Sequence, residues 1–166
     1  MTAWYLTVSS PVGPITLVEE HGGLSRAFLD SQKHAPCPQG GWVGGAGRPI
    51  LDQAARWLDA YFGGAPLPPL PPLAPAGTEF QQRVWKQMLA IESGATLTYG
   101  QLAERAGRPG AARAAGSAAA RNPLLILVPC HRVVGASGKL TGYAAGTGRK
   151  EFLLEMERSR SLLPSL

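Results

Sequence analysis

Apolar positions follow two regimes along the chain, short extended runs first and helical spacing afterwards. Trp4-Tyr5-Leu6-Thr7-Val8, Ile15-Thr16-Leu17-Val18 and Leu24 to Leu29 are rich in β-branched and aromatic residues, with Pro11, Pro14 and His21-Gly22-Gly23 between them. Such runs bounded by turn residues predict strands joined as a meander or hairpins. Residues 38–47 are glycine-rich and read as a loop. Ile50, Leu51, Ala54, Ala55, Leu58, Tyr61 and Phe62 recur at helical spacing, which predicts a helix over 49–62. Pro49 suits its start and Gly63-Gly64 its stop.

Six prolines fall within residues 65–77. That density predicts an extended, semi-rigid polyproline-II connector and a boundary between two domains, 1–64 and 78–166. Beyond it, Thr78 and Gln81 have the spacing of a capping box, and Phe80, Val84, Met88 and Ile91 line one helical face up to Gly94. Thr98 and Gln101 repeat the box ahead of a short helix stopping at Gly107, and Pro109 opens a third helix running towards Arg121. Two short helices joined at Gly107-Arg108-Pro109 predict a helix-turn-helix. Leu124 to Val128 reads as a buried extended segment, 135–148 as a glycine-rich loop, and 149–158 as a last helix.

Charge sharpens the division. Residues 1–77 carry a net charge of −1 and residues 78–166 one of +6. A basic second half points to a polyanionic partner, nucleic acid above all. The third helix holds seven alanines between Ala111 and Ala120, with Arg113 the one long side chain in its body. It lacks the side chains that read base edges, and instead lets backbone come close to a groove, with Arg113 available as a wedge.

The longest aliphatic run, Leu124 to Val128, is far short of the roughly 20 residues of a membrane span. The start of the chain shows no basic leader ahead of an apolar stretch, and two cysteines make no disulfide framework, so a reducing cytoplasm is expected. Cys37, His21 and His34 do not have zinc-ligand spacing, so neither metal nor other cofactor is expected.

Pro129-Cys130-His131-Arg132-Val133 is the chemical centre. A thiolate is a strong nucleophile favoured by nearby positive charge or a base. Neighbours in an extended chain point to opposite sides, so His131 reaches Cys130 only if the chain bends or a water bridges them. On these residues alone, a nucleophilic cysteine and an ordinary buried cysteine beside an ordinary histidine both stand; a DNA-binding lesion sensor without turnover and a cysteine hydrolase or thiol transferase are the alternative functions.

Together with Asn122-Pro123, Gly142-Tyr143 and Arg149-Lys150-Glu151, this motif resembles the active-site region of the O6-alkylguanine-DNA alkyltransferases. The likeness covers residues 78–157 and includes Phe80 to Trp85, Tyr99 to Ala103 and Pro109 to Arg113. It implies an α/β roll of the RNase H-like type followed by a mostly α domain with a helix-turn-helix and an active-site loop. It also implies flipping of O6-alkylguanine from duplex DNA and irreversible transfer of the alkyl group to Cys130, in one turnover. In that likeness His131 takes the thiol proton through a water, Glu157 orients His131, and Asn122 shapes the active-site turn. Tyr99 donates to guanine N3, Tyr143 walls the base pocket, and backbone at Cys130 and Val133 receives the guanine amino group. Arg113 fills the gap left by the base, while Ala112, Ser117 and Arg121 belong to the DNA-facing helix. Ala144 departs from the pattern and leaves only backbone to contact O6. The implied partner is double-stranded DNA, entered through the minor groove without sequence preference. No membrane is implied; the chain is expected as a monomer, with clustering on DNA and activity on O4-alkylthymine left open.

Overall fold

The computed structural model describes residues 2–32, 35–36 and 40–161. The chain divides into two units, one reaching to Ala76 and including Pro123–Leu127, the other comprising Gly77–Asn122 and everything from Val128 on. Among the described residues no helix is long and apolar enough to cross a membrane.

The first unit is a sheet with one helix. Strands β1 (Ala3–Val8), β2 (Ile15–Glu20) and β3 (Gly23–Leu29) pair antiparallel, β4 (Trp42–Gly44) pairs parallel to β1, and the order is β3-β2-β1-β4. Helix α1 (Pro49–Gly63) buries Leu51, Ala54, Trp57, Leu58 and Tyr61 and is capped by Gly64 in the left-handed region. Burying each large apolar side chain contributes about 1.5–3 kcal/mol, which makes α1 the main cover of the sheet. Glu19, buried in β2, accepts two hydrogen bonds from Arg48 (2.9 and 3.1 Å), whose guanidinium lies 3.6 Å above the Trp4 ring.

Two expectations change here. The stretch 38–47 is not all loop, because Trp42–Gly44 forms β4 in register with Ala3–Tyr5. Three residues flanked by glycines carry no alternation of their own; pairing with β1 and packing of Trp42 near Tyr5 and Phe28 impose the strand. Pro38 and Gln39 of that stretch lie outside the described residues, as do His34 and Cys37. The proline-rich stretch 65–77 is not a free connector either. Leu24 N donates to Pro72 O (2.8 Å) and Ala74 N to Leu24 O (2.8 Å), along the open edge of β3. Proline lacks a donor but keeps its carbonyl, so Pro72 serves as acceptor and Ala74 as donor. Further along that edge Ala27 N donates to Pro123 O (2.8 Å) and Leu125 N to Ala27 O (3.0 Å). The expected buried segment 124–128 is thus largely a cover for β3, and the exposed strand edge disappears.

The second unit contains α2 (Glu79–Leu89), β5 (Leu97–Thr98), α3 (Tyr99–Arg105), α4 (Ala112–Ala120), β6 (Val133–Val134) and α5 (Thr147–Ser161). Both capping boxes form, with Gln81 N on Thr78 Oγ1 and Gln101 N on Thr98 Oγ1, each returned by the glutamine side chain at 2.9 Å. Helix α2 ends at Leu89, before Gly94; the apolar period continues to Ile91 through a tight turn in which Ile91 N donates to Met88 O. Pro109 precedes α4 rather than opening it, since Ala111 is the N-cap. Helices α3 and α4 form the helix-turn-helix, with Gly107 left-handed at φ 87°. Small residues let α4 pack closely: Ala115, Ala118 and Ala119 are buried, and the Trp85 indole donates to Ala118 O at 2.8 Å.

Candidate active site

Chain geometry at Cys130 begins with a neck. Asn122 Nδ2 donates to Val128 O at 2.8 Å, closing the base of the 123–127 excursion. After Pro129 the backbone enters a 3-10 turn over Cys130–Arg132, with Arg132 N on Pro129 O and Val133 N on Cys130 O. Strand β6 then pairs parallel with β5, Leu97 opposite Val133, which ties this turn to the segment leading into Tyr99.

The turn corrects the extended geometry expected from sequence. Successive side chains of a 3-10 turn stand about 120° apart instead of opposite, so His131 and Arg132 both reach one carboxylate, Glu157 of α5. His131 Nε2 bonds Glu157 Oε1, and Arg132 Nε donates to both carboxylate oxygens (3.1 and 2.8 Å). Arg132 Nη1 donates to Ile91 O at 2.6 Å, and Ser93 Oγ to Glu157 at 3.4 Å. Burial by itself would push the Glu157 carboxyl up; the hydrogen bonds and charges of His131 and Arg132 outweigh it and hold Glu157 below the ordinary range. Burial lowers His131, against the opposing pull of Glu157. An ionised carboxylate only accepts, so Nε2 carries the imidazole proton. Nδ1 therefore carries the lone pair, and it has no hydrogen-bond partner among the described residues.

Cys130 is 9% exposed. Burial pushes its thiol up, opposed by a hydrogen bond from Asn122 and the positive field of Lys150. The resting group is consequently a thiol, and making it nucleophilic requires a base. The Tyr143 ring is buried and stands 6.4 Å from the His131 ring at 79°. Tyr99, half-buried, donates its hydroxyl to Thr141 O at 3.0 Å, and burial raises its pKa.

Cys130, His131, Glu157, Asn122, Tyr99, Tyr143 and Val133 thus belong to one connected region. Arg113, Ser117 and Arg121 are exposed on or at the end of α4, and Ala112 and Ala144 are half-buried. Lys150, named in the sequence only within the Arg149-Lys150-Glu151 motif and given no role there, is only 1% exposed. Its Nζ donates to Val133 O (2.6 Å) and Thr141 O (2.9 Å) and lies 5.9 Å from the Tyr99 ring centre. A signal existed: Lys150, Leu153, Leu154 and Glu157 are the buried stripe of α5, so a lysine and a glutamate occupy core positions.

Comparison with known proteins agrees with this architecture. Residues 4–74 match the ribonuclease-like domain of 6-O-methylguanine DNA methyltransferase, and residues 79–159 match its DNA-binding domain. A methylated-DNA–protein-cysteine methyltransferase of Mycobacterium tuberculosis is 46% identical over 162 residues, 95% of this chain and 93% of that protein. One of Methanosarcina acetivorans is 46% identical over 157 residues, 94% of this chain and 99% of that protein. Among solved structures, Mycobacterium tuberculosis O6-methylguanine methyltransferase superposes with a TM-score of 0.86 at 44% identity, covering 99% of this chain and 96% of that one. The Mycobacterium tuberculosis OGT in complex with DNA gives 0.82 at 45% identity, covering 96% and 94%. The chain belongs to the 6-O-methylguanine DNA methyltransferase family, with the ribonuclease-like domain at residues 4–74 and the DNA-binding domain at 79–159.

Proposed function

We propose that this chain repairs DNA by moving the alkyl group of O6-alkylguanine onto its own Cys130, once per molecule. The observation that carries the reading is the buried row Cys130, His131, Glu157, in which a neutral imidazole keeps Nδ1 as a base while Glu157 supports the opposite nitrogen. Through a bridging water, Nδ1 takes the thiol proton, and Glu157 stabilises the imidazolium that forms. The sulfur attacks the alkyl carbon, an S–C bond forms, and the C–O6 bond breaks with its electron pair leaving on guanine. Tyr99 donates to N3 and stabilises that departing anion. In sum, thiol and O6-alkylguanine become thioether and guanine. Water does not reverse a thioether at useful rates, so the protein acts once.

Access to the base is the other half of the reading. An alanine-rich α4 brings backbone close to the minor groove without reading sequence, and Arg113 fills the space vacated by the flipped base. Flipping costs a few kcal/mol, less for a weakly paired alkylated guanine. The net charge of +6 over residues 78–166 supplies phosphate neutralisation. A reactive thiol also suits a reducing cytoplasm.

The test is Cys130→Ala with duplex carrying one O6-methylguanine. The variant is expected to bind the duplex and restore no guanine in a nucleoside digest, while wild type restores one guanine per chain. Binding without restoration in wild type supports a lesion sensor instead, and release of more than one equivalent supports a turnover hydrolase or transferase.

A further inference from the structure

The Tyr99 hydroxyl has one proton, and in this structure Thr141 O holds it at 3.0 Å. The proposed reaction needs that same proton donor at the departing base. Tyr99 must therefore change partners when guanine enters, and the carbonyl of the exposed Thr141 must be held in place as it loses that donor. Lys150 answers that requirement. Its Nζ donates to the same carbonyl at 2.9 Å, using the second lone pair, and to Val133 O at 2.6 Å. A carbonyl that keeps one charged donor gives up the other cheaply and stays where it was, because the retained bond still fixes its direction.

We propose that Lys150 is a positioning residue for alkyl transfer, holding the Thr141 and Val133 carbonyls so that the Tyr99 hydroxyl can pass from Thr141 to the leaving guanine. The inference rests on the functional reading above and extends it to a residue that makes no contact with the base. Three facts converge. Lys150 is among the largest fully buried side chains of the chain, where an amine is costly unless it is used. Its two acceptors tie the glycine-rich loop to the Cys130 turn, one just after that turn and one within the loop next to Gly142-Tyr143. Its Nζ also sits 5.9 Å from the ring whose hydroxyl must move. Apolar packing by a leucine or methionine would fill the space, but would leave Tyr99 as the principal donor to Thr141 O.

A double-mutant cycle tests the handover, using the full chain and a duplex with one O6-methylguanine, read as single-turnover methyl transfer. Tyr99→Phe alone is expected to slow the maximal rate about tenfold, the worth of roughly one hydrogen bond. Lys150→Met is expected to slow it comparably with little change in the duplex concentration giving half-maximal rate. The double variant is expected to be scarcely slower than Lys150→Met, because without Lys150 the tyrosine hydroxyl stays on Thr141 and its removal loses little. Lys150→Arg, still a donor, is expected to restore part of the rate. Losses that multiply, or an effect confined to the half-saturating concentration, would mean that Lys150 merely supports the loop, and would overturn the proposal. If Lys150→Met does not fold, judged by thermal unfolding, Lys150→Leu, which likewise carries no donor, takes its place in the same cycle. A wild-type chain that gains no methyl overturns the functional reading itself, whereas one that gains a methyl but shows multiplicative losses overturns only the role of Lys150.

Discussion

His131 gives its Nε2–H to Glu157, and that bond decides which nitrogen of the ring is left to act. Because Arg132 also bonds the carboxylate, Glu157 is held ionised and cannot donate in return. The imidazole is fixed with Nδ1 bare, buried and unpaired among the described residues. Its neighbours thus leave one ring nitrogen able to accept a proton, and the proposed transfer uses it as the base.

Replacing Glu157 with Gln therefore removes both the charge and the tautomer control. Methyl transfer is expected to slow by about 10²-fold or more. Arg132 loses a charged acceptor, costing about 1.5–3 kcal/mol in a urea unfolding series. Wild-type rates in the variant would contradict the role of Glu157.

Stability should depend on pH with a definite sign. The His131 folded pKa lies below its unfolded value, so the unfolded chain takes up a proton first as pH falls below about 6.5. Glu157, also held low, adds stability that is present above about pH 4.3 and is lost as pH falls through its folded value. The melting temperature is expected to decline below about pH 6.5 as His131 is protonated in the unfolded chain, and to decline further below about pH 4.3, with that lower part weakened in Glu157→Gln. A melting temperature that rises on acidification would contradict both assignments.

Arg113→Ala separates base extrusion from chemistry. Arg113 is exposed on α4, so reaction with free O6-benzylguanine is expected to stay within about twofold. Repair in duplex is expected to fall at least about tenfold, as the flipped state loses its wedge. Equal losses on both substrates would remove Arg113 from that role.

The edge of β3 offers a test confined to the first unit. Ala74→Pro deletes the donor to Leu24 O, leaving a buried acceptor unsatisfied at a cost of about 1–3 kcal/mol. A chain of this size should melt about 2–4 °C lower per kcal/mol. An unchanged melting temperature would restore the proline-rich stretch to a free connector.

How much of this was legible in the sequence follows from the range of each interaction. The boxes at Thr78/Gln81 and Thr98/Gln101 close within one helical turn, and both were readable from spacing. Strand β4 was not, because Trp42-Val43-Gly44 becomes a strand only against Ala3–Tyr5. The pairing of Leu24 with Pro72 and Ala74 was hidden for the same reason. At the site, the Cys130-His131-Arg132 motif and its resemblance marked the chemistry. The 3-10 turn that lets His131 and Arg132 share Glu157 depends on contacts with α5 that no local pattern displays. Lys150 was within reach as a charged residue in an apolar stripe, but its two carbonyl partners belong to the fold.

Alkyl transfer as proposed ends on Cys130 and happens once. Intact-protein mass spectrometry with peptide mapping, after mixing the chain with excess duplex carrying one O6-methylguanine, tests it most directly. A gain of one methyl is expected, located on the peptide containing Cys130 and stopping at one equivalent. An unmodified chain, or a methyl found on any other residue, would contradict it.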